Sequence, residues 1–308
     1  MPRGKKHLTG QLGVATGNVV PLRSKPDSDS EQVSQALIGQ SIVVEAGQRG
    51  WLFVQTWDNY RGWIADRDVR ILEDQSQPYA SSGNVAVVRE LIVDVFDRGS
   101  ERAGIITKAT ISSELEVVED RGAWVEVVLP DGRSGFIRKH HAKLLNKDLA
   151  YTMWLPDTRK LVETAQRFVG VPYLWGGTSP FGIDCSGFVQ LVHRVHYVTL
   201  LRDAQLQATD PRAFVVNKSD IRAGDLVFFA KAQGNTKSQG GRQKNQDAGP
   251  KSITHVGLAI SSRRFIHSCL SSGVTITPLD DPYYAGIFWG AKRMRLATLD
   301  PGGGAPED

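Results

Sequence analysis

Cysteine is nearly absent from this chain: 308 residues carry two thiols, Cys185 and Cys269. So few exclude a disulfide framework. One bridge between them stays open, and a free, reduced pair is the simpler expectation. No Cys-x-x-Cys or His-x-x-x-His spacing accompanies them, so no metal site is expected. Long hydrophobic runs are missing too. None approaches the ~20 apolar residues of a membrane span, and none of signal-peptide length follows Met1-Pro2-Arg3-Gly4-Lys5-Lys6. With Met1 as the native start, the expectation is a cytoplasmic protein without membrane contact. Charge of one sign is scarce as well. Lys and Arg number 37 against 33 Asp and Glu, a formal charge of +4 with no dense basic run beyond Arg3–Lys6, so nucleic acid is not an expected partner.

What is present is ample apolar material, 41% of the chain, arranged in three blocks. Residues 11–74 and 83–146 consist of short β-type runs broken by turn residues, such as Ser41–Glu45, Trp51–Gln55, Ile92–Phe96 and Trp124–Val128. The two blocks repeat one plan. Gly50-Trp51-Leu52-Phe53-Val54 through Gly62-Trp63-Ile64 parallels Gly122-Ala123-Trp124-Val125-Glu126-Val127 through Gly135-Phe136-Ile137. Both are expected to be small barrels, with Trp51, Trp63 and Trp124 in their cores and residues 75–83 as the linker. His140-His141 reads as barrel surface.

The third block, 151–297, opens with helical spacing from Thr158 to Val169 and an N-cap at Asp157 or Thr158. A second helical pattern begins at Cys185, in Asp184-Cys185-Ser186-Gly187-Phe188, and His193-x-x-His196 lies on its face. Strand-like runs follow at Asp225–Ala230, Val256–Ile260 and Val274–Ile276, an α+β order. Between the first two, the polar stretch Gln233–Pro250 reads as a mobile insertion loop.

Cys185 is the candidate nucleophile. A helix N-terminus favours thiolate over thiol, and a cysteine hydrolase needs a histidine base from elsewhere in the chain. His255 and His267 stand in strand-like segments downstream. His255 alternates with apolar neighbours, so a satisfied core histidine is the plainer alternative there.

The combination of Gly170-Val171-Pro172-Tyr173-Leu174-Trp175-Gly176-Gly177, Asp184–Phe188, Gly224-Asp225-Leu226-Val227-Phe228-Phe229 and Thr254-His255-Val256-Gly257 resembles the NlpC-type papain-like cysteine peptidases, which cut bacterial cell-wall peptides. The resemblance covers about residues 155–296. The repeated blocks before it resemble tandem bacterial SH3 domains. The fold implied is an α+β papain-like cysteine peptidase domain preceded by two all-β bacterial SH3-like barrels.

Within that family the chain looks most like the YkfC-type γ-D-glutamyl-L-diamino-acid endopeptidases, which act on murein peptides with a free N-terminal L-alanine. The resemblance implies Cys185 as nucleophile, His255 as base and His267 as the group orienting it. Tyr173 is implied as an oxyanion donor, with Trp175, Asp184, Ser186 and Asp203 shaping the pocket. Tyr60 is implied to join Asp184 in holding the substrate's α-amine. The plainer alternative for Tyr60 is an exposed turn residue, and for Asp203 a helix N-cap. The family also uses an acidic barrel residue there, which this sequence does not reveal. No metal or cofactor is implied. The partner implied is a murein peptide, the setting cell-wall recycling. A rival reading makes the chain a murein-binding autolysin with its barrels as wall anchors.

Overall fold

The computed structural model describes residues 9–148, 157–231 and 252–295; the Gln233–Pro250 segment lies outside them. The first block forms strands β1 (Gln11–Ala15), β2 (Val19–Arg23), β3 (Gln32–Leu37), β4 (Ser41–Gln48), β5 (Trp51–Thr56), β6 (Arg61–Ala65) and β7 (Val69–Ile71). The second forms β8 (Asn84–Val88), β9 (Ile92–Phe96), β10 (Ile105–Thr110), β11 (Glu114–Arg121), β12 (Trp124–Val128), β13 (Ser134–Arg138) and β14 (Ala142–Asn146). The strand orders are 3-2-6-5-4-1-7 and 10-9-13-12-11-8-14, the same topology shifted by seven. Each sheet also has a register break in the matching pair, between Val44 and Ala46 and between Val117 and Glu119.

The tryptophans lie on the side opposite to the one expected. Strand parity turns Leu52, Val54 and Thr56 inward and Trp51 and Phe53 outward; in β12 it turns Val125 and Val127 inward and Trp124 outward. Small aliphatic residues fill both interiors, and the half-buried tryptophans cover the outer faces. There Trp63 packs on Phe53 at 5.2 Å, and Trp124 lies between Phe96 at 5.3 Å and the Arg138 guanidinium at 4.2 Å. The linker is pinned: Tyr79 is buried and its hydroxyl donates to the Val128 carbonyl at 2.5 Å.

The third block carries helices α1 (Thr158–Gln166), α2 (Cys185–Val195), α3 (Ala204–Ala208) and α4 (Pro282–Ile287). Its strands are β15 (Thr178–Ser179), β16 (Gly182–Ile183), β17 (Ala213–Val216), β18 (Leu226–Lys231), β19 (Ser252–Ala259), β20 (Arg264–Cys269), β21 (Gly273–Pro278) and β22 (Phe288–Met294). Strands β17-β22-β18-β19-β20-β21 make one antiparallel sheet. Helix α2 is buried along nearly its whole length and packs on β19 and β20 through Phe188, Val189 and Val192. Gly187 allows that close seat, because a Cβ there would meet the Gly177 carbonyl oxygen at 2.2 Å.

The blocks share a core. Leu37 of the first barrel and Ile111 of the second belong to the hydrophobic cluster under α2. Polar contacts continue the join: Gln190 Nε2 donates to Asp58 Oδ2 at 2.7 Å, and Arg194 lies 4.3 Å over Trp57.

His193 and His196 sit on a helix face, but a buried one. His193 Nδ1 donates to the Val189 carbonyl at 2.8 Å, and His196 Nε2 meets Thr164 Oγ1 at 2.9 Å. Burial pushes both imidazoles down to about 4, so they are neutral in the folded protein. The unfolded chain takes up those protons first as pH falls, so stability present above about 6.5 is lost progressively towards about 4. Thermal melts should therefore show the midpoint dropping across that window, and His193→Gln should flatten the drop. A midpoint insensitive to pH there would contradict the neutral, buried assignment.

Candidate active site

The site begins with Asp184. It is the N-cap of α2, and its Oδ1 accepts from Gly187 N at 2.7 Å and from Ser186 Oγ at 3.2 Å. Its Oδ2 accepts from Gly176 N at 3.0 Å. Arg202, 2% exposed, closes on the same carboxylate with both terminal nitrogens, at 3.0 and 2.5 Å, and bonds Ser186 Oγ at 3.0 Å. Its Nε reaches Ser34 Oγ of the first barrel at 3.1 Å. Both oxygens of Asp184 are thus committed, where the sequence reading had them hold a substrate amine.

Cys185, the first residue of α2, is 8% exposed and lines a cleft of about 970 Å³ together with Tyr173, Asp203 and His255. Backbone N–H groups of Val256 and Ser186 bond its sulfur, which seats the sulfur beside the strand that carries His255. Burial pushes the thiol up to about 12, and the Asp184 carboxylate adds to the rise; the Val256 and Ser186 N–H groups and Arg202 oppose it. The helix terminus alone therefore does not produce a thiolate here. Desolvation wins, and the sulfur needs a nearby cation when it loses its proton.

His255 on β19 and His267 on β20 are joined through His255 Nε2 and His267 Nδ1 at 2.9 Å, and His267 Nε2 meets Thr277 Oγ1 on β21 at 2.9 Å. His267 is buried beside His255, and burial together with that neighbour pushes it down to about 3, so it stays neutral. One proton arrangement lets His255 act as a base: Nε2–H donates to His267 Nδ1, and His267 Nε2–H donates to the Thr277 hydroxyl. The nitrogen that takes the thiol proton is then Nδ1. Gly257 gives the rings room, since a Cβ there would come within 2.5 Å of Phe265, which stacks on His267 at 4.6 Å.

The first barrel forms the far wall. Trp175, 62% exposed, donates from Nε1 to Glu31 Oε1 at 2.7 Å, and its carbonyl accepts from Gln32 Nε2 at 3.0 Å. Gly176 has φ +71, and a Cβ there would lie 2.5 Å from the Gln32 carbonyl oxygen. Tyr60 and Glu31 reach the cleft from the barrel. Burial, then Asp203, push the Tyr60 phenol up to about 12, and it hydrogen-bonds Asp203. Asp203 stands at the N-cap position of α3 but makes no side-chain cap bond. Burial raises its carboxyl above the ordinary range despite Arg202 next to it. Tyr173 also lines the cleft, its hydroxyl kept protonated first by burial and then by Cys185.

Every site residue read from the sequence therefore lines this cleft except His267, which stands behind His255. Sequence reasoning missed Glu31, Thr277 and the role of Arg202. Glu31 and Thr277 lie in no local motif, whereas Arg202 belongs to the Arg202-Asp203 pair that follows the cysteine helix. Among the described residues, no group of His, Cys, Asp or Glu could hold a metal ion.

Known proteins resemble this chain in sequence and fold. The NlpC/P60 family matches residues 170–240, and the bacterial dipeptidyl-peptidase Sh3 domain matches residues 22–69. A γ-D-glutamyl-L-lysine dipeptidyl-peptidase of Bacillus cereus is 27% identical over 271 residues, 84% of this chain and 74% of that protein. The protein of the same name from Bacillus subtilis is 24% identical over 84% of this chain and 75% of its own length. The crystal structure of an NlpC/P60 family protein from Bacillus cereus superposes with a TM-score of 0.78, covering 93% of this chain and 100% of that one at 23% identity, a likeness of fold.

If the buried thiol depends on His255 for its ionisation, His255→Ala should leave a sluggish sulfur. A free thiol has a pKa of about 8.5, whereas burial holds this one far higher. Alkylation of Cys185 by iodoacetamide at neutral pH, located by peptide mass spectrometry, should be at least about tenfold slower in His255→Ala than in wild type. Equal rates would contradict the dependence.

Proposed function

The chain is an NlpC/P60 cysteine peptidase with a bacterial SH3 domain, and from that premise we propose that it hydrolyses the γ-D-glutamyl–L-diamino acid bond of short murein peptides beginning with a free L-alanine. The relatives named for γ-D-glutamyl-L-lysine dipeptidyl-peptidase activity motivate the bond. The observation that carries the reading is the acidic part of the cleft, where Glu31 bonds Trp175 and Tyr60 bonds Asp203 on the walls that also hold Cys185. Such an anionic corner suits the ammonium of a peptide with a free amino end.

Cys185 acts as nucleophile and passes its proton to His255 Nδ1, while His267 and Thr277 hold the ring's tautomer. The sulfur attacks the γ-carbonyl, and the developing oxyanion is met by the Cys185 backbone N–H and the Tyr173 hydroxyl. The diamino acid leaves with the proton from His255. Water, deprotonated by the same imidazole, then opens the thioester to release L-Ala-γ-D-Glu.

The ammonium contact is assigned to Asp203, with Tyr60 and Glu31, because Arg202 already neutralises Asp184. Asp58, the other nearby barrel acid, is engaged by Gln190 and Thr56. Ser186 supports the Asp184–Arg202 pair from below. The first barrel is built into the cleft wall and both barrels reach the shared core, which favours cleavage of short turnover peptides over anchorage on polymeric wall.

Mass spectrometry of digests of L-Ala-γ-D-Glu-L-Lys should find L-Ala-γ-D-Glu and free lysine. A hydrogen bond to a charged group is worth about 1.5–3 kcal/mol, so N-acetylation or Asp203→Asn should each lower kcat/KM roughly ten- to a hundredfold. Asp203 must be ionised to hold the ammonium, so wild-type kcat/KM should fall with pH through a carboxyl raised above the ordinary range, and Asp203→Asn should lose that limb. Equal cleavage of free and acetylated peptide would refute the assignment. Deleting the first barrel is a poorer test, because it would uncover the core around Leu37.

A further inference from the structure

Helix α4 carries an aromatic residue against the histidine pair. Asp281 fixes its start, accepting from Tyr283 N at 3.0 Å and Tyr284 N at 3.2 Å, with Pro282 in the first turn. The Tyr284 ring lies 5.8 Å from the His255 ring, tilted by 31° from parallel. It meets His267 edge-on at 4.9 Å, and Phe229 and Phe265 back it at 5.1 and 5.2 Å. Its hydroxyl hydrogen-bonds Cys269 at the end of β20. A helix cap, two aromatic neighbours and a thiol contact therefore fix this ring.

We infer that Tyr284 is a positioning residue of the peptidase reaction, whose ring holds the His255 imidazole in register and favours the imidazolium formed when Cys185 gives up its proton. The inference rests on the cysteine-peptidase reading above. A cation within ~6 Å of an electron-rich ring face is attracted to it, more strongly when water is excluded. Cys185 needs that imidazolium, because burial alone holds its sulfur in the thiol form. The neighbouring β18 side chain, Phe229, brings no charge to His255, lying 5.7 Å from it. The titratable groups facing His255 are Cys185 from α2, His267 and Cys269 from β20 and its end, and Tyr283 and Tyr284 from α4. Phe229 and Tyr284 both lie within 6 Å of His255, and of the two the Tyr284 ring is the more nearly parallel to the imidazole, at 31° against 43°.

The test uses the full chain with Tyr284→Phe, Tyr284→Leu, and pentafluorophenylalanine at position 284, which keeps the ring's shape and inverts its field. Thermal melts establish that each variant is folded. The pH profile of kcat/KM and the pH profile of Cys185 alkylation by iodoacetamide are then compared. Tyr284→Phe should keep kcat/KM within about threefold, because the ring and not the hydroxyl acts on His255. The fluorinated variant and Tyr284→Leu should lose roughly tenfold, with the alkaline limb about half a unit to one unit lower, because the ring acts on the imidazolium that is lost there. A folded fluorinated variant with wild-type limbs would overturn the inference, as would Tyr284→Phe being as damaging as Tyr284→Leu. Alkylation needs no substrate, so a wild type that alkylates normally but leaves the tripeptide uncut would refute the substrate proposal alone.

Discussion

The buried ion pair between Asp184 and Arg202 is the constraint on which the site depends. Its carboxylate caps the nucleophile's helix and holds the Gly176 turn, while its guanidinium reaches Ser34 of the first barrel. One salt bridge thus sets the height of Cys185, the path of the Trp175 loop and the seat of the barrel wall. Burying two charges is costly unless every remaining hydrogen-bonding position is filled. Here the backbone N–H groups of Gly176 and Gly187 and the hydroxyls of Ser34 and Ser186 fill them. Removing one partner of such a pair typically costs about 3–5 kcal/mol, so its role is structural before it is electrostatic.

That arrangement separates two tasks that adjacency in sequence would merge. Asp184 stands next to Cys185, yet its charge is neutralised and adds little but an upward push on the thiol. Asp203 lies next to Arg202 and makes no cap bond, so its carboxylate turns to the cleft with Tyr60. The nucleophile is buried enough to resist ionising alone. Its activation then belongs to the His255–His267–Thr277 chain and to the aromatic setting around it, where a thiolate and an imidazolium can appear together.

Much of this was legible in the sequence because it is local. The N-cap, the glycine-rich turn and the strand histidines lie within short spans, and the barrels announce themselves by repeating. The tryptophan placement was misread because residue type was followed and strand parity was not: Trp51 and Trp124 occupy the half-buried outer parity of their strands, not the buried one. Glu31, Thr277 and Tyr284 were missed for another reason. Each meets the site through packing across distant segments, and no spacing rule links position 31 to 175 or 284 to 255. The helix-start argument for a lowered Cys185 pKa failed because the sequence does not display burial, and burial is the larger effect here.

The central claim is that the first barrel and α3 measure the peptide's free end while Cys185 meets its γ-carbonyl. A crystal structure of Cys185→Ala with intact L-Ala-γ-D-Glu-L-Lys tests it most directly, because it fixes both ends of one molecule at once. The account predicts the alanine ammonium within hydrogen-bonding distance of the Asp203 carboxylate, against Tyr60 and Glu31, with the γ-carbonyl above position 185. A peptide whose amino end runs out past Trp175 into solvent, or contacts Asp184 in place of Arg202, would contradict it.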